Sequence, residues 1–143
     1  MNHKYLAKIP PKSTGRNVFG FEMLKSTIDK FYYIDKIDFL RTLVRFTAES
    51  IIFNLKYLKN LNLTNTTLII SGGGINNKLL MYDIKEISDF SNIITSNSIG
   101  INPDFKESLL MSVLGLGRIM NLKTNVPSVT GAGKLVSCGD IYA

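Results

Sequence analysis

The stretch Thr66–Met81, TTLIISGGGINNKLLM, predicts the central element of the fold. The apolar and β-branched residues before Ser71 form a short run with an abrupt end, which is typical of a buried strand. Three glycines follow, and Asn76 or Asn77 then offers an N-cap to apolar residues at helical spacing through about Asp89. The stretch therefore predicts a strand, a glycine turn and a helix.

The glycine turn, made of Gly72, Gly73 and Gly74, is the first candidate ligand site. Without Cβ atoms the backbone can take positive φ angles, and a ligand can lie directly against it. A helix that begins just past such a turn suits an anionic or nucleotide ligand, because it presents free N–H groups and the positive end of its dipole. A tight turn without any ligand explains the glycines equally well. The spacing matches neither G-x-G-x-x-G nor a Gly-Lys-Ser/Thr phosphate loop.

Length and composition narrow the class of protein. The 143 residues suffice for one domain, and 45% hydrophobic residues are typical of a globular chain. The net charge is +6, but the lysines are scattered singly, which favours a solvated surface over nucleic-acid binding. The single cysteine, Cys138, excludes an intrachain disulfide and a multi-cysteine metal site, and the single histidine, His3, is poorly located for catalysis. No signal peptide and no apolar run of about 18 residues occurs, so we expect a cytoplasmic protein without a membrane partner.

Two helices are predicted upstream of the glycine turn. The apolar segment Asn17–Leu24 favours a short helix, and the less regular segment Lys25–Ile37 favours a connection. From Asp38 to about Asn60, apolar residues recur at intervals of three and four and predict a long core helix.

The polar loop Pro11–Arg16, PKSTGR, is a second candidate ligand site. Lys12 and Arg16 flank Ser13 and Thr14, and these side chains together could grip an anion. The same residue types also serve turn chemistry, so the loop alone leaves both interpretations open.

Downstream of the glycine turn, Asn92–Ser96 predicts a second short strand beside Thr66–Ile70. The run Asn102-Pro103-Asp104 predicts a helix start, and the helix after it is apolar on most faces, so we expect it to be deeply packed. Glu107 in its first turn either complements the helix dipole or faces a ligand. The alternation of helices and strands predicts an α/β fold with parallel strands.

Five blocks, in order, resemble the C-terminal part of the anhydro-N-acetylmuramic acid kinase family, which are sugar kinases of the actin/hexokinase/Hsp70-like (ribonuclease H-like) superfold. The blocks are PPKSTGRNVF (Pro10–Phe19), TLVRFTAESI (Thr42–Ile51), ISGGGINNKLLM (Ile70–Met81), GINPDFKES (Gly100–Ser108) and NVPSVTGAG (Asn125–Gly133). The resemblance implies that residues 1–143 form a single partial C-terminal kinase lobe, with an incomplete sheet and packed helices, and that the N-terminal lobe and the first strands of this lobe are absent.

The resemblance implies a function as well. Such kinases use ATP and Mg²⁺ to convert 1,6-anhydro-N-acetylmuramate and water to N-acetylmuramate 6-phosphate in peptidoglycan recycling. The implied nucleotide contacts are Gly72, Gly73, Gly74 and Asn77. The implied substrate contacts are the carboxylate of Glu107 and, in the polar loop, Lys12, Ser13, Thr14 and Arg16.

A full-length member of that family is more than twice as long as this chain. The resemblance implies that the absent portion holds a Gly-Thr-Ser-x-Asp-Gly phosphate loop, a second glycine-rich phosphate motif and the aspartate that acts as base. We therefore expect no catalytic residue here and no independent turnover. A separately encoded N-terminal lobe, a homodimer, the remnant of a decayed gene, and a non-catalytic assembly or nucleotide-binding module all remain open.

Overall fold

The computed structural model describes residues 3–58 and 62–142, in which helices alternate with two short strands. The helices are α1 (Lys4–Ala7), α2 (Phe21–Lys30), α3 (Lys36–Leu55), α4 (Lys78–Ile87), α5 (Lys106–Ile119) and α6 (Pro127–Thr130). The strands are β1 (Thr67–Ile70) and β2 (Asn92–Thr95).

The two strands form a parallel sheet, with Thr67 opposite Asn92 and Ile70 opposite Thr95. Helix α4 makes the crossover between them, as a parallel pair requires. The expected α/β class and the parallel pairing are thereby confirmed. Because parallel strands run in the same direction, the segments that follow β1 and β2 emerge at the same edge of the sheet.

Short polar side chains cap the start of α3 and the start of the turn that precedes α5. The Asp35 carboxylate accepts a hydrogen bond from the Ile37 amide at 2.8 Å and caps α3. The Asn102 side chain accepts one from the Asp104 amide at 2.9 Å, at the head of a short 3-10 turn that leads into α5. Such caps satisfy backbone donors that a helix leaves unpaired, and for this reason the sequence predicts where these elements begin.

The short helix predicted at Asn17–Leu24 is misplaced. The helix is α2, Phe21–Lys30, and neither the predicted helix Asn17–Leu24 nor the predicted connection Lys25–Ile37 matches it. The chain turns sharply before α2, since a Cβ atom at Gly20 would stand 1.9 Å from the Arg16 carbonyl oxygen. Only glycine permits that approach, so the helix begins immediately after residue 20.

The long helix predicted from Asp38 is present as α3, which begins two residues earlier and ends at Leu55. The predicted end at Asn60 lies outside the described residues. No helix in the described ranges is both long enough and apolar enough to cross a membrane.

An ion cluster joins α3 to α4 around Asp83, whose side chain is fully buried. Both Asp83 oxygens accept from the Arg41 guanidinium, at 2.6 and 2.7 Å, and Oδ1 also accepts from Arg45 at 3.3 Å. Arg45 extends the cluster outward to Glu49 and Glu86. The hydrogen bond from Arg41, supported by that from Arg45, holds the pKa of Asp83 below its usual range against the opposing effect of burial.

Little of the apolar surface is buried. Among the described residues, only three hydrophobic side chains fall in the fully buried class: Leu6, Ala48 and Ile84. Helix α5 was expected to be deeply packed, and this prediction is wrong, because six of its apolar side chains are 49% to 75% exposed. They are Leu109, Leu110, Met111, Val113, Leu116 and Ile119. Within the described residues no layer covers this face, so its apolar pattern meets solvent.

Candidate functional site

The segments that leave the carboxyl ends of β1 and β2 meet at one edge of the sheet. Ser71 follows β1 and Ser96 follows β2, and their hydroxyl oxygens lie 2.9 Å apart in hydrogen-bond contact. Ser96 is buried, so this contact ties the two exits together below the surface. In open α/β sheets, ligands bind at such carboxyl ends of the strands, which makes this edge the leading candidate site.

The glycine turn lies directly on this edge. Gly72 has φ +89°, a conformation that side-chain-bearing residues rarely adopt, and Gly73–Asn76 then form a 3-10 turn. Gly73 is exposed, and no atom lies within 4 Å of the position that a Cβ atom would take there. The backbone of the turn is therefore open to a ligand from the solvent side.

Asn77 connects the turn to α4. Its side-chain oxygen accepts a hydrogen bond from the Leu80 amide at 3.1 Å, so Asn77 is the N-cap of α4. The sequence alone leaves Asn76 and Asn77 as alternatives for this cap. Within the described part of the chain, the side-chain amide nitrogen of Asn77 donates no hydrogen bond. The residue can therefore cap α4 with its oxygen and still offer two N–H donors to a ligand.

Helix α5 begins beside the same turn. Lys106 is its first residue, and the ammonium nitrogen lies 3.6 Å from the position that a Cβ atom would take at Gly72. Glu107 follows in the first turn of α5 and is exposed. Sequence patterns indicate Glu107 as a candidate site residue but not Lys106, because only the folded chain brings residue 106 against residue 72.

The polar loop Pro11–Arg16 lies at a cavity beside α3 and not at the glycine turn. Lys12 and Thr14 line a cavity of about 770 Å³ between the N-terminal segment and α3, with mainly apolar walls. The Lys12 ammonium donates to the Leu6 carbonyl at 3.2 Å and lies 4.7 Å from the centre of the Tyr57 ring. Burial, and then the charge of Lys56, lower the pKa of Lys12.

The predicted site residues therefore fall into two groups. Gly72, Gly73, Gly74, Asn77 and Glu107 belong to the edge of the sheet. Lys12 and Thr14 face the cavity, whereas Ser13 and Arg16 are exposed and do not line it. A role for the polar loop in substrate binding stays a prediction.

The described residues do not assemble a metal site. Residues 3–58 and 62–142 contain no group of three or more His, Cys, Asp or Glu side chains arranged to hold an ion. Mg²⁺ in phosphotransferases is bound through one or two carboxylates together with substrate phosphates.

The α/β fold thus places an exposed, Cβ-free turn at the carboxyl ends of parallel strands, with a cation and a carboxylate at the start of the next helix, and these are the features of a candidate nucleotide or phosphate site. Comparison with known proteins makes this specific. A family model described as anhydro-N-acetylmuramic acid kinase matches residues 1–143. The chain belongs to this family.

Curated relatives agree with the family match. The chain is 40% identical over 141 residues to an anhydro-N-acetylmuramic acid kinase of Clostridioides difficile, covering 99% of this chain and 37% of that protein. It is 34% identical over 144 residues to the protein of the same name from a Cyanothece species, with 99% and 37% covered. For the protein of Mannheimia succiniciproducens the identity is 37%, with 96% and 38% covered. The chain thus spans little more than a third of the length of these relatives.

Proposed function

We propose that this chain supplies the nucleotide-side surface and one sugar-site carboxylate of an ATP-dependent kinase that acts on 1,6-anhydro-N-acetylmuramate. The observation that carries the proposal is the meeting of the glycine turn with the start of α5 at the edge of a parallel sheet. The match to the kinase family over the whole chain favours this function over a non-catalytic assembly module.

The proposed context is the C-terminal lobe of an actin/hexokinase/Hsp70-like kinase. The relatives are nearly three times as long as their match to this chain, and the proposal assigns the remaining strands and the other lobe to that surplus. That surplus is the proposed cover for the exposed apolar face of α5, since exposed apolar patches of this kind mark interaction surfaces. It would also pair with the sheet, because two strands alone leave open edges.

The proposed reaction consumes one ATP and one water. Water adds at C1 of the sugar, the C1–O6 bond of the anhydro ring breaks, and O6 attacks the γ-phosphorus of ATP with loss of ADP. Phosphoryl transfer depends chiefly on positioning and on stabilising the charge of the phosphoryl group. The base and the phosphate loop are expected in the part of the family that this chain does not span.

The residues of this chain would bind and orient the two substrates. The open backbone of Gly73 and Gly74 would lie against the nucleotide, and the free amide nitrogen of Asn77 would donate to it. The carboxylate of Glu107 would accept hydrogen bonds from the sugar. Mg²⁺ would neutralise phosphate charge when bound, held by the phosphates and by residues outside this chain.

Reconstitution tests the proposed function. Purified chain is mixed with ATP, Mg²⁺ and 1,6-anhydro-N-acetylmuramate, with and without the N-terminal two thirds of a relative, such as the Clostridioides difficile kinase, as a second polypeptide. We expect N-acetylmuramate 6-phosphate only from the mixture of both pieces. Product from the isolated chain would refute the need for a second piece. Absence of product from a complex shown to assemble would refute the kinase function.

We expect the substitution Gly73→Val to weaken ATP binding by about tenfold or more without destabilising the chain. A Cβ atom at residue 73 would meet no atom of a non-neighbouring residue within 4 Å, and the valine methyl groups would occupy the space proposed for the nucleotide. Calorimetric titration with ATP measures the affinity, and thermal unfolding measures the stability.

The matched control for this substitution is Gly133→Val. Gly133 also has open space around its potential Cβ position, but it lies in the loop that follows α6, away in sequence from the turn. We expect this variant to bind ATP as the unmodified chain does. Equal affinity of the Gly73→Val variant and this control would argue against a ligand on the glycine turn.

A further inference from the structure

We propose that Lys106 is a phosphate-contacting residue of the site at the glycine turn, and that its ammonium group pairs with a phosphate oxygen of the nucleotide. The inference rests on the proposed function and assigns a role to a residue that the sequence patterns did not identify. The first observation is proximity, since Nζ of Lys106 lies 3.6 Å from the position that a Cβ atom would take at Gly72. A ligand on the glycine turn would lie within direct reach of this cation.

The ammonium group is available for a ligand. Across residues 3–58 and 62–142, the ion pairs all involve Arg41 or Arg45, and the side chain of Lys106 takes part in no ion pair or hydrogen bond. Lys106 is exposed to solvent, and its ammonium nitrogen lies close to the backbone of the turn at Gly72. Within the described residues, the positive charge of Lys106 therefore has no carboxylate partner.

The location of the charge also needs an explanation. A cation in the first turn of a helix is on the unfavourable side of the helix dipole, and Lys106 is the first residue of a helix of 14 residues. An anion bound beside it would be attracted by the ammonium group and by the backbone N–H groups at once. A bound phosphate therefore offsets a cost that the chain carries in its absence.

Lys106 and Glu107 can serve different parts of the bound substrates. Neighbouring residues on a helix point in directions about 100° apart, so their side chains do not face each other. The lysine lies over the glycine turn, where the nucleotide is proposed, and the carboxylate is free to face the sugar. Lysine provides a compact point charge with three donors, which suits a phosphate whose orientation other groups determine.

The test compares ATP with adenosine, because a phosphate contact affects only the ligand that carries phosphate. Binding of each ligand is measured by NMR titration on the chain and on the variants Lys106→Met, Lys106→Arg and Lys85→Met. Lys85 lies in the last turn of α4, at the opposite end of that helix from the glycine turn, and its loss changes the net charge equally. Thermal unfolding confirms that each variant is folded.

We expect Lys106→Met to weaken ATP binding by about tenfold or more and to leave adenosine binding unchanged. Lys106→Arg should retain most of the ATP affinity, and Lys85→Met should match the unmodified chain. Unchanged ATP binding in Lys106→Met, or an equal loss for ATP and adenosine, would overturn the phosphate contact while leaving the proposed function intact. If the unmodified chain binds neither ATP nor adenosine, the proposed nucleotide-binding surface is refuted, and the phosphate contact of Lys106 is refuted with it.

Discussion

Replacing Asp83 with alanine is expected to lower the Tm of the chain by about 10 °C. The substitution leaves the guanidinium group of Arg41 facing a buried, empty position and removes the contact between Asp83 and Arg45. Removing Asp83 takes both acceptor oxygens away from the Arg41 guanidinium, which is destabilising, although water reaches that side chain, which is 40% exposed, and offsets part of the loss. Thermal unfolding followed by circular dichroism measures the change.

The matched control is Asp29→Ala on α2. Asp29 is exposed and forms no ion pair within the described residues, so we expect its loss to change the Tm by no more than about 2 °C. A comparable loss of stability in the two variants would mean that the ion cluster does not hold α3 against α4.

Acid should act on the same contact. Because the native pKa of Asp83 lies below that of the unfolded chain, unfolding at low pH takes up a proton, and stability falls as the pH falls. The contribution is fully present above the unfolded-state pKa, about 4, and is lost as the pH drops through the lower native pKa. Urea midpoints between neutral and acidic pH measure it, and the variant Asp83→Asn should show a flatter acid limb than the unmodified chain.

The second large effect is expected at Glu107, once the chain is assembled with the N-terminal part of a relative. Changing Glu107 to glutamine should lower kcat/KM for the sugar by about 100-fold, since an amide replaces a charged acceptor of hydrogen bonds. Steady-state kinetics of the reconstituted kinase provide the measurement. The size of the effect corresponds to the loss of charge-assisted contacts to one substrate.

The control for Glu107 is Glu22→Gln. Both glutamates occupy the first turn of a helix, and both are exposed, but Glu22 belongs to α2 rather than to the helix beside the glycine turn. A role limited to complementing a helix dipole would affect both variants alike and would appear as a small change in Tm. An unaltered kcat/KM in Glu107→Gln would remove Glu107 from the proposed sugar site.

The features that were correctly predicted from the sequence depend on interactions between residues a few positions apart. The strand before the glycines, the cap at Asn77 and the turn that begins after Asn102 each follow from short-range backbone chemistry. The strand is not buried as predicted, because its residues alternate between exposed and half-buried, and α5 itself begins only at Lys106, after a 3-10 turn. Parallel pairing followed from the order of the elements. These parts of the fold need no information about distant residues.

The features that were missed depend on contacts across the chain or on what surrounds it. The start of α2 is determined by the approach of Gly20 to the Arg16 carbonyl, and helical periodicity does not report such an approach. The pairing of Arg41 with Asp83 joins two helices separated by a strand. The apolar pattern of α5 predicted a packed face, but such a pattern does not tell whether the layer that would cover it belongs to the same chain.

The exposed face of α5 has a practical consequence for anyone who purifies this polypeptide. Its uncovered leucine, methionine and isoleucine side chains would draw copies of the chain together, and sulfate or other strongly hydrated salts would increase that tendency. Inside a growing cell the same side chains would attract chaperones and proteases. Co-expression with the N-terminal two thirds of a relative should therefore raise the yield, and dilute buffers free of precipitating salts should keep the isolated chain in solution.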